Sequence, residues 1–541
     1  MTDISSQKPL VLRLAVSAKP PSLQDNTGDV DRLKAAVANA LRGSGLEERE
    51  CVIPYQALNA VGAAFRELGF EGEAVLNLLP GRVEIVDFLP ADGGPVVALA
   101  LDLGTTHLEA SLLDLRTGET LVSGHALNRQ VRFGPDILSR IHAATGAGGR
   151  GGPGCEGVQG LQEEVVASIN GLVKELAGKA GLEPRSIRAM GVSGNTTMTH
   201  FLLGANPYHI CREPYIPLVN APDPCRAPDL GLDIAPCAPV WIMPSIGSYF
   251  GGDLVSGILA AGLDEAEGVR MLIDVGTNAE VVLGNSEWLI ACAGAAGPAL
   301  ESGVAQMGMR AQPGAIERVR IDTEKWRLDY STIGDVPPSG ICGSGLIDLA
   351  AELYLARILD FRGKLQPSGE EDEDARKRFL ADRLRSDESG AYFIVAPESE
   401  AADGKPVVVG QLDIDAMMRS KAAMYAILST LTGQVGVAFD QLERIYVAGA
   451  FGRHIDPHHA ITLGMIPDLP LSIYEPVGNS SLRGAEMALL SEENRRRVAE
   501  IRRKVTYIEL NVNQEFMIRF SGSRFIPHTD PSLFPSVPCF R

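Results

Sequence analysis

The sequence predicts an α/β chain built from two related halves. Two observations carry that expectation. The first is a short signature that occurs twice. Asp102-Leu103-Gly104-Thr105-Thr106 follows the apolar run 96–101, and Asp274-Val275-Gly276-Thr277-Asn278 follows Met271-Leu272-Ile273. In each copy a buried-looking strand ends in an acid and a small turn. Glycine lets backbone N–H groups approach a phosphate, the hydroxyl adds a donor, and the Asp is placed to hold Mg²⁺ or its water. One such turn is common, but two imply halves facing each other across a nucleotide. The second observation is the alternation of strands with helices through the rest of the chain, the order that builds α/β layers.

Taken in order, residues 1–94 are expected to form a small α+β domain. Leu10–Val16 is a strand, and 30–41 and 56–68 carry helical spacing of apolar residues. Strands at 74–79 and 83–89 flank the Pro80-Gly81 turn. The domain shows no catalytic cluster, so docking or dimerisation, a homodimer included, is the role expected of it. Residues 95–268 form the first half. The strand 96–101 and its partner 108–115 make a hairpin. The Gly-rich stretch 146–160 is expected to be a mobile surface loop and 162–177 an amphipathic helix. The strand 187–192 leads into Ser193-Gly194-Asn195-Thr196-Thr197. Residues 269–541 form the second half, with a strand at 269–274, a solvated charged insertion at 369–390, a long helix at 414–435, a strand at 444–448 and a strap-like tail from 519.

With 541 residues the chain has ample material for several cores, and its net charge of −19 argues against a nucleic-acid partner. No apolar run approaches the length that spans a bilayer, and the polar N-terminus lacks a signal-type core, so a cytoplasmic location is expected. The eight cysteines include no closely spaced pair. They are expected to be reduced thiols packed as small hydrophobes, Cys211, Cys225 and Cys237 included, and no iron–sulfur cluster is expected in this chain.

A third segment joins the two turns: Tyr446-Val447-Ala448-Gly449-Ala450-Phe451-Gly452, a buried strand ending in small residues that admit a ribose or adenine ring. Together these motifs resemble the ATPase fold shared by sugar kinases, heat-shock chaperones and actin. Longer strings narrow the match. They are the hairpin 100–115, Phe133-Gly134-Pro135-Asp136 and the following residues to Ile141, the stretch 191–198, Gly251-Gly252-Asp253, the stretch 273–280, the Gly/Ala-rich run 293–303 with Glu301, and Ser339-Gly340-Ile341-Cys342-Gly343-Ser344-Gly345 with its continuation to Asp348. Over residues 8–530 the chain is similar to the reductive activators of corrinoid proteins.

The resemblance implies a duplicated actin-like ATPase fold that couples ATP hydrolysis to reduction of Co(II) to Co(I). The implied partner is a corrinoid protein of a methyltransferase system. Members of that family typically carry an iron–sulfur module. This chain begins with the region that follows such a module in relatives, so a separate electron donor is expected. Asp102 and Asp274 are the implied Mg²⁺ ligands, with Asp253 and Glu301 as further catalytic acids. Gly104, Thr105, Thr106, Gly276, Thr277, Asn278, Gly343, Gly345, Gly449, Ala450 and Gly452 are the implied nucleotide contacts. Two other readings stay open: a nucleotide-binding regulatory module and a small-molecule kinase. His454, His458 and His459 are expected on a surface loop, because Pro457 interrupts any metal-binding helix. Asn195 is expected in a left-handed turn, and Cys342 as a small buried residue.

Overall fold

The computed structural model describes residues 7–92, 94–145, 156–276, 279–294, 307–367, 369, 373–388, 390–510 and 513–540. The chain divides into two compact units, Met1–Ala260 with Ser480–Lys504, and Ala261–Asn479 with Val505–Arg541. The segment Ser480–Lys504 thus packs with the first unit although it lies inside the span expected for the second half. No local feature of the sequence marks such a return.

The first unit opens on a four-stranded sheet in the order β1-β3-β4-β2, made of β1 (Val11–Ser17), β2 (Glu50–Val52), β3 (Glu71–Leu79) and β4 (Arg82–Leu89). Helices α1 (Asp29–Ala40) and α2 (Tyr55–Glu67) pack against it. Phe65 of α2 is fully buried and meets Phe70 and Phe88 edge-on, each at 5.0 Å between ring centres. This sheet does not stand apart from the rest of its unit. Buried Glu84 accepts from Arg226 at 3.0 Å, and Asn77 donates to the Cys237 carbonyl at 2.9 Å.

The second sheet of this unit runs β7-β6-β5-β8-β10-β9. Its strands are β5 (Val97–Leu103), β6 (His107–Asp114), β7 (Thr120–Leu127), β8 (Ile187–Gly194), β9 (Cys225–Arg226) and β10 (Pro239–Ile242). β5 is central, antiparallel to β6 and parallel to β8, which explains its unbroken apolar run: both faces are covered. The helices are α3 (Ile137–Thr145), α4 (Glu156–Lys179), α5 (Thr196–Leu202) and α6 (Gly252–Ala261), with α12 (Ser480–Leu490) and α13 (Glu492–Lys504) returning late in the chain. Of the loop expected at 146–160, residues 146–155 lie outside the described residues. Residues 156–160 instead open α4, because Val158 and Leu161 begin the apolar stripe that the helix buries.

In the second unit β11 (Arg270–Val275), β12 (Ala279–Gly284) and β13 (Leu289–Gly294) form a meander. β14 (Ala315–Asp322), β15 (Arg327–Thr332) and β16 (Gly340–Ile341) make a small sheet ahead of α7 (Gly343–Leu355). The charged insertion is folded: α8 (Asp374–Arg383) buries Phe379 and Leu380, and β17 (Leu384–Asp387) pairs with β18 (Gly390–Ala396), which pairs with β19 (Val407–Gly410). Two buried side chains suffice to anchor a helix whose remaining residues are mostly charged. α9 (Gln411–Gln434), β20 (Arg444–Ala448), α10 (Gly449–His454), α11 (Pro457–Leu463), β21 (Tyr474–Gly478), β22 (Val505–Tyr507) and α14 (Gln514–Gly522) complete the unit. After α14 the tail runs as a strap. Buried Lys421 of α9 donates to the carbonyls of Phe525 and Pro527.

The large sheet of the second unit is ordered β21-β20-β11-β12-β13-β22. The two units repeat one topology. β7-β6-β5-β8-β10 and β13-β12-β11-β20-β21 are each an antiparallel meander of three strands followed by two strands parallel to its first. Asp102 and Asp274 are each the penultimate residue of that first strand. Among the described residues no helix is long and apolar enough to cross a membrane.

The Glu84–Arg226 pair fastens the N-terminal sheet to the body of the first unit. Glu84→Ala should cost about 2–4 kcal/mol, since it strands a guanidinium at a largely buried position. Urea unfolding read by circular dichroism checks this, and an unchanged midpoint would contradict the fastening.

Candidate functional site

In the first unit β5 delivers Asp102 to the edge of a polar cluster. The Ser481 hydroxyl, on the first turn of α12, donates to Asp102 Oδ1 at 2.7 Å. Its oxygen lies 2.9 Å from Ser193 Oγ of β8, which in turn lies 2.8 Å from Ser256 Oγ of α6. This buried serine chain fixes the strand-end carboxylate from one side. The register does the rest, since Asp102 stands beside Ser193 across the β5–β8 ladder.

Asp253 begins α6 and shares this neighbourhood. Burial raises its pKa first, and the negative charge of Asp102 adds to the rise, to about 6. Its Oδ1 accepts from the Leu254 backbone N–H at 2.9 Å. Gly251, two residues before Asp253, sits close against the start of α5: a Cβ there would lie 2.4 Å from Asn195 Cα. Asn195 adopts extended geometry (φ −67°, ψ 160°), not the left-handed turn expected, and caps α5 by accepting from Met198 N–H at 3.0 Å. Its amide also donates to Thr105 Oγ1 at 3.1 Å, so it ties the helix start to the Gly-Thr turn.

A strand-end carboxylate such as Asp102 is a hard oxygen donor of the kind that suits Mg²⁺, which takes one or two carboxylates and completes its shell with water and phosphate oxygens.

In the second unit Asp274 stands opposite Ala448 of β20. The chain then turns at Gly449, whose φ of +73° favours glycine. A Cβ there would lie 2.9 Å from the Val275 carbonyl and 3.0 Å from Asp274 Oδ1. Gly276 is exposed, and among the described residues nothing lies within 4 Å of a Cβ placed on it. Gly343 is the first residue of α7, whose N-terminal N–H groups form an anion-favouring end. Gly345 and Gly452 are packed tightly against neighbouring backbone. A Cβ on Gly345 would lie 2.2 Å from the Ile316 carbonyl, and one on Gly452 2.2 Å from the Val447 carbonyl. Cys342 is buried, as expected, with its Sγ 3.3 Å from Ser344 Oγ. Thr277, Asn278 and Glu301 lie outside the described residues, as does the side chain of Ala450.

His459 corrects an expectation. It sits inside α11, fully buried, not on a surface loop. Pro457 does not break a helix there. It starts one at the first turn, behind the cap Asp456. The ring lies between two acids one turn apart on α7, with Nδ1 2.6 Å from Asp348 Oδ1 and Nε2 3.1 Å from Glu352 Oε1. Burial disfavours its charged form, but the hydrogen bonds to both acids and the charges of Asp348 and Asp456 outweigh that and raise its pKa to about 9.

A family model described as the C-terminal domain of RACo, the ASKHA domain, matches residues 268–538. Models of the RACo middle region and the RACo linker region match 97–266 and 4–93. The chain belongs to the RACo family. It is 32% identical over 457 residues to the corrinoid activation enzyme RamQ of Eubacterium limosum, covering 84% of this chain and 74% of that protein. It is 23% identical over 441 residues to the [Co(II) methylated amine-specific corrinoid protein] reductase of Methanosarcina barkeri, covering 75% and 72%. A solved reductive activator for corrinoid, iron–sulfur protein superposes with a TM-score of 0.85 at 36% identity, over 98% of this chain and 81% of that one. RACo membership brings with it the ASKHA ATPase domain, hence nucleotide binding, and the duplicated actin-like fold with its small N-terminal α+β domain.

The geometry groups Asp102, Thr105, Asn195 and Asp253 in one unit of this RACo-type chain, and Asp274 with Gly449 in the other, the unit that also holds α7. Ser193, Ser256 and Ser481 were missed by sequence reading. Ser193 stood inside a quoted motif, but Ser481 is 379 residues from the acid it serves and carries no local signal.

The buried His459 cluster predicts a pH dependence. A raised folded-state pKa means that the cluster's stabilisation is complete below the ordinary histidine value of 6.5 and is lost as pH rises through about 9. Wild type should lose about 3 kcal/mol relative to His459→Gln between pH 6 and 10. Parallel urea titrations across that range read the difference, and a constant offset would count against a charged His459.

Proposed function

We propose that this chain is an ATP-driven activator of a corrinoid protein. ATP hydrolysis is coupled to a conformational change during which one electron from a separate donor reduces Co(II) to Co(I). The observation that carries this reading is the repeated sheet with an acid at the same strand position in each unit, in a chain of the RACo family. The cysteines of the chain are widely spaced, which supports an external electron source, since a cluster needs closely spaced thiolates.

In this reading Asp102 and Asp274 are the Mg²⁺ ligands, and the metal neutralises charge on the phosphates. The turns Gly104-Thr105-Thr106 and Gly276-Thr277-Asn278 offer backbone N–H groups and hydroxyls to phosphate. The N-terminus of α7 at Gly343 adds further donors, and the small residues Gly449 and Ala450 leave room for the nucleoside. Asn195 holds Thr105 in place. Asp253 has a proton affinity suited to a group that accepts a proton from water near neutral pH. Glu301 is kept as a second acid on the resemblance alone.

Asp102→Ala and Asp274→Ala should each weaken Mg²⁺-dependent binding of a non-hydrolysable ATP analogue at least about tenfold, some 1.4 kcal/mol. Isothermal titration with and without Mg²⁺ measures it, and wild-type affinity in both variants would sink the assignment.

The activity itself is read by anaerobic absorbance of a corrinoid protein during stepwise addition. Co(I) should accumulate only when ATP, this chain and an external reductant are all present. Co(I) appearing at the same rate without ATP would reject the proposal and favour a regulatory nucleotide-binding role.

A further inference from the structure

The buried ion cluster of the second unit joins two segments that the proposed site uses separately. α7 begins at Gly343, the anion-favouring end. α10 begins at Gly449, beside Asp274, and continues through the turn at Ile455-Asp456 into α11. His459 is the residue of α11 that reaches α7. It contacts Asp348 and Glu352, which are i and i+4 on α7 and so share one face.

The surroundings are charged from three elements. Asp348 and Glu352 come from α7. Arg318 and Arg320 come from β14, with Arg318 3.7 Å from Asp348 and Arg320 3.2 Å from Glu352. Asp456 comes from the cap of α11 and meets Arg320 at 3.1 Å. Arg320 Nη1 also lies 3.4 Å from His459 Nε2, so it approaches the imidazole as well as the acids. With His459 protonated the cluster holds three cations against three carboxylates. Without that proton two acids on α7 lose their buried partner. β14 closes the frame, because Glu352 Oε2 accepts from the Ile321 N–H at 2.9 Å and Gly345 packs directly against the Ile316 carbonyl.

We infer that His459 is a positioning residue for nucleotide binding: as an imidazolium it clamps α7 to α11 and so sets the spacing between the phosphate-facing start of α7 and the nucleoside-facing start of α10. None of its atoms needs to touch ATP. The inference rests on the reading of Gly343 and Gly449 as nucleotide segments. It predicts an effect on affinity more than on turnover, since the clamp shapes the cradle and leaves the acids at Asp102, Asp253 and Asp274 alone.

The test is the KM for ATP and the Kd of a non-hydrolysable analogue, measured on the full chain between pH 7 and 10. His459→Gln should raise both about tenfold at pH 7 while kcat changes less than threefold. Wild type should lose affinity as pH rises through 9, and the variant should lack that limb. Arg320→Gln, which leaves the buried His–acid contacts in place, serves as a milder variant should His459→Gln fold poorly, and should raise KM by about twofold to fivefold. A folded His459→Gln protein with unchanged KM and only a lowered Tm would overturn the inference, as would a wild-type KM that is flat from pH 8 to 10. Failure of wild type itself to bind the analogue would instead strike the underlying reading of the nucleotide segments.

Discussion

The structure depends on holding a carboxylate at the end of the central strand of each large sheet. Such a strand is covered on both faces and tolerates almost nothing but apolar side chains along its length. Charge can appear only where the ladder ends, and there it must find partners. Asp102 finds the Ser481 hydroxyl, backed by Ser193 and Ser256. Asp274 finds a neighbouring turn narrowed to glycine at Gly449. The same strand order in both units puts the acid at the same place each time, so one folding solution serves twice. On the proposed reading, that repetition equips each unit with an acid and a phosphate turn of its own.

Much of this was legible in the sequence because it is local. An apolar run, an acid and a Gly-Thr turn report a buried strand and its exit with no help from the rest of the chain. The strand 444–448 and the helices near 30–41 and 56–68 were read to within two residues for the same reason. The failures share a cause of the opposite kind. Ser481 matters because α12 packs on β5 and β8 of the first unit, a pairing made by tertiary packing across most of the chain. His459 looked like a loop residue because Pro457 was read as a helix breaker. Proline at the first turn is instead a helix starter, and only its position relative to Asp456 distinguishes the two.

The glycines of the motifs also divide into two physical roles that sequence cannot separate. Gly276 meets nothing within 4 Å among the described residues. Gly345 and Gly452 are glycine because a carbonyl oxygen occupies the place of their side chain. They shape the site by letting helices sit close to strands. Substituting either would disturb local packing, and a loss of function there would not by itself make the residue a ligand.

The central claim is that nucleotide turnover in this chain is tied to the oxidation state of a corrinoid partner. The most direct measurement is the steady-state rate of ATP hydrolysis with a corrinoid protein held anaerobically as Co(II), compared with the same protein as Co(I) and with no partner. A motor gains from its partner only by preferring the state it acts upon. The Co(II) form should therefore stimulate hydrolysis and the Co(I) form should do so little. Equal rates in all three conditions would contradict it.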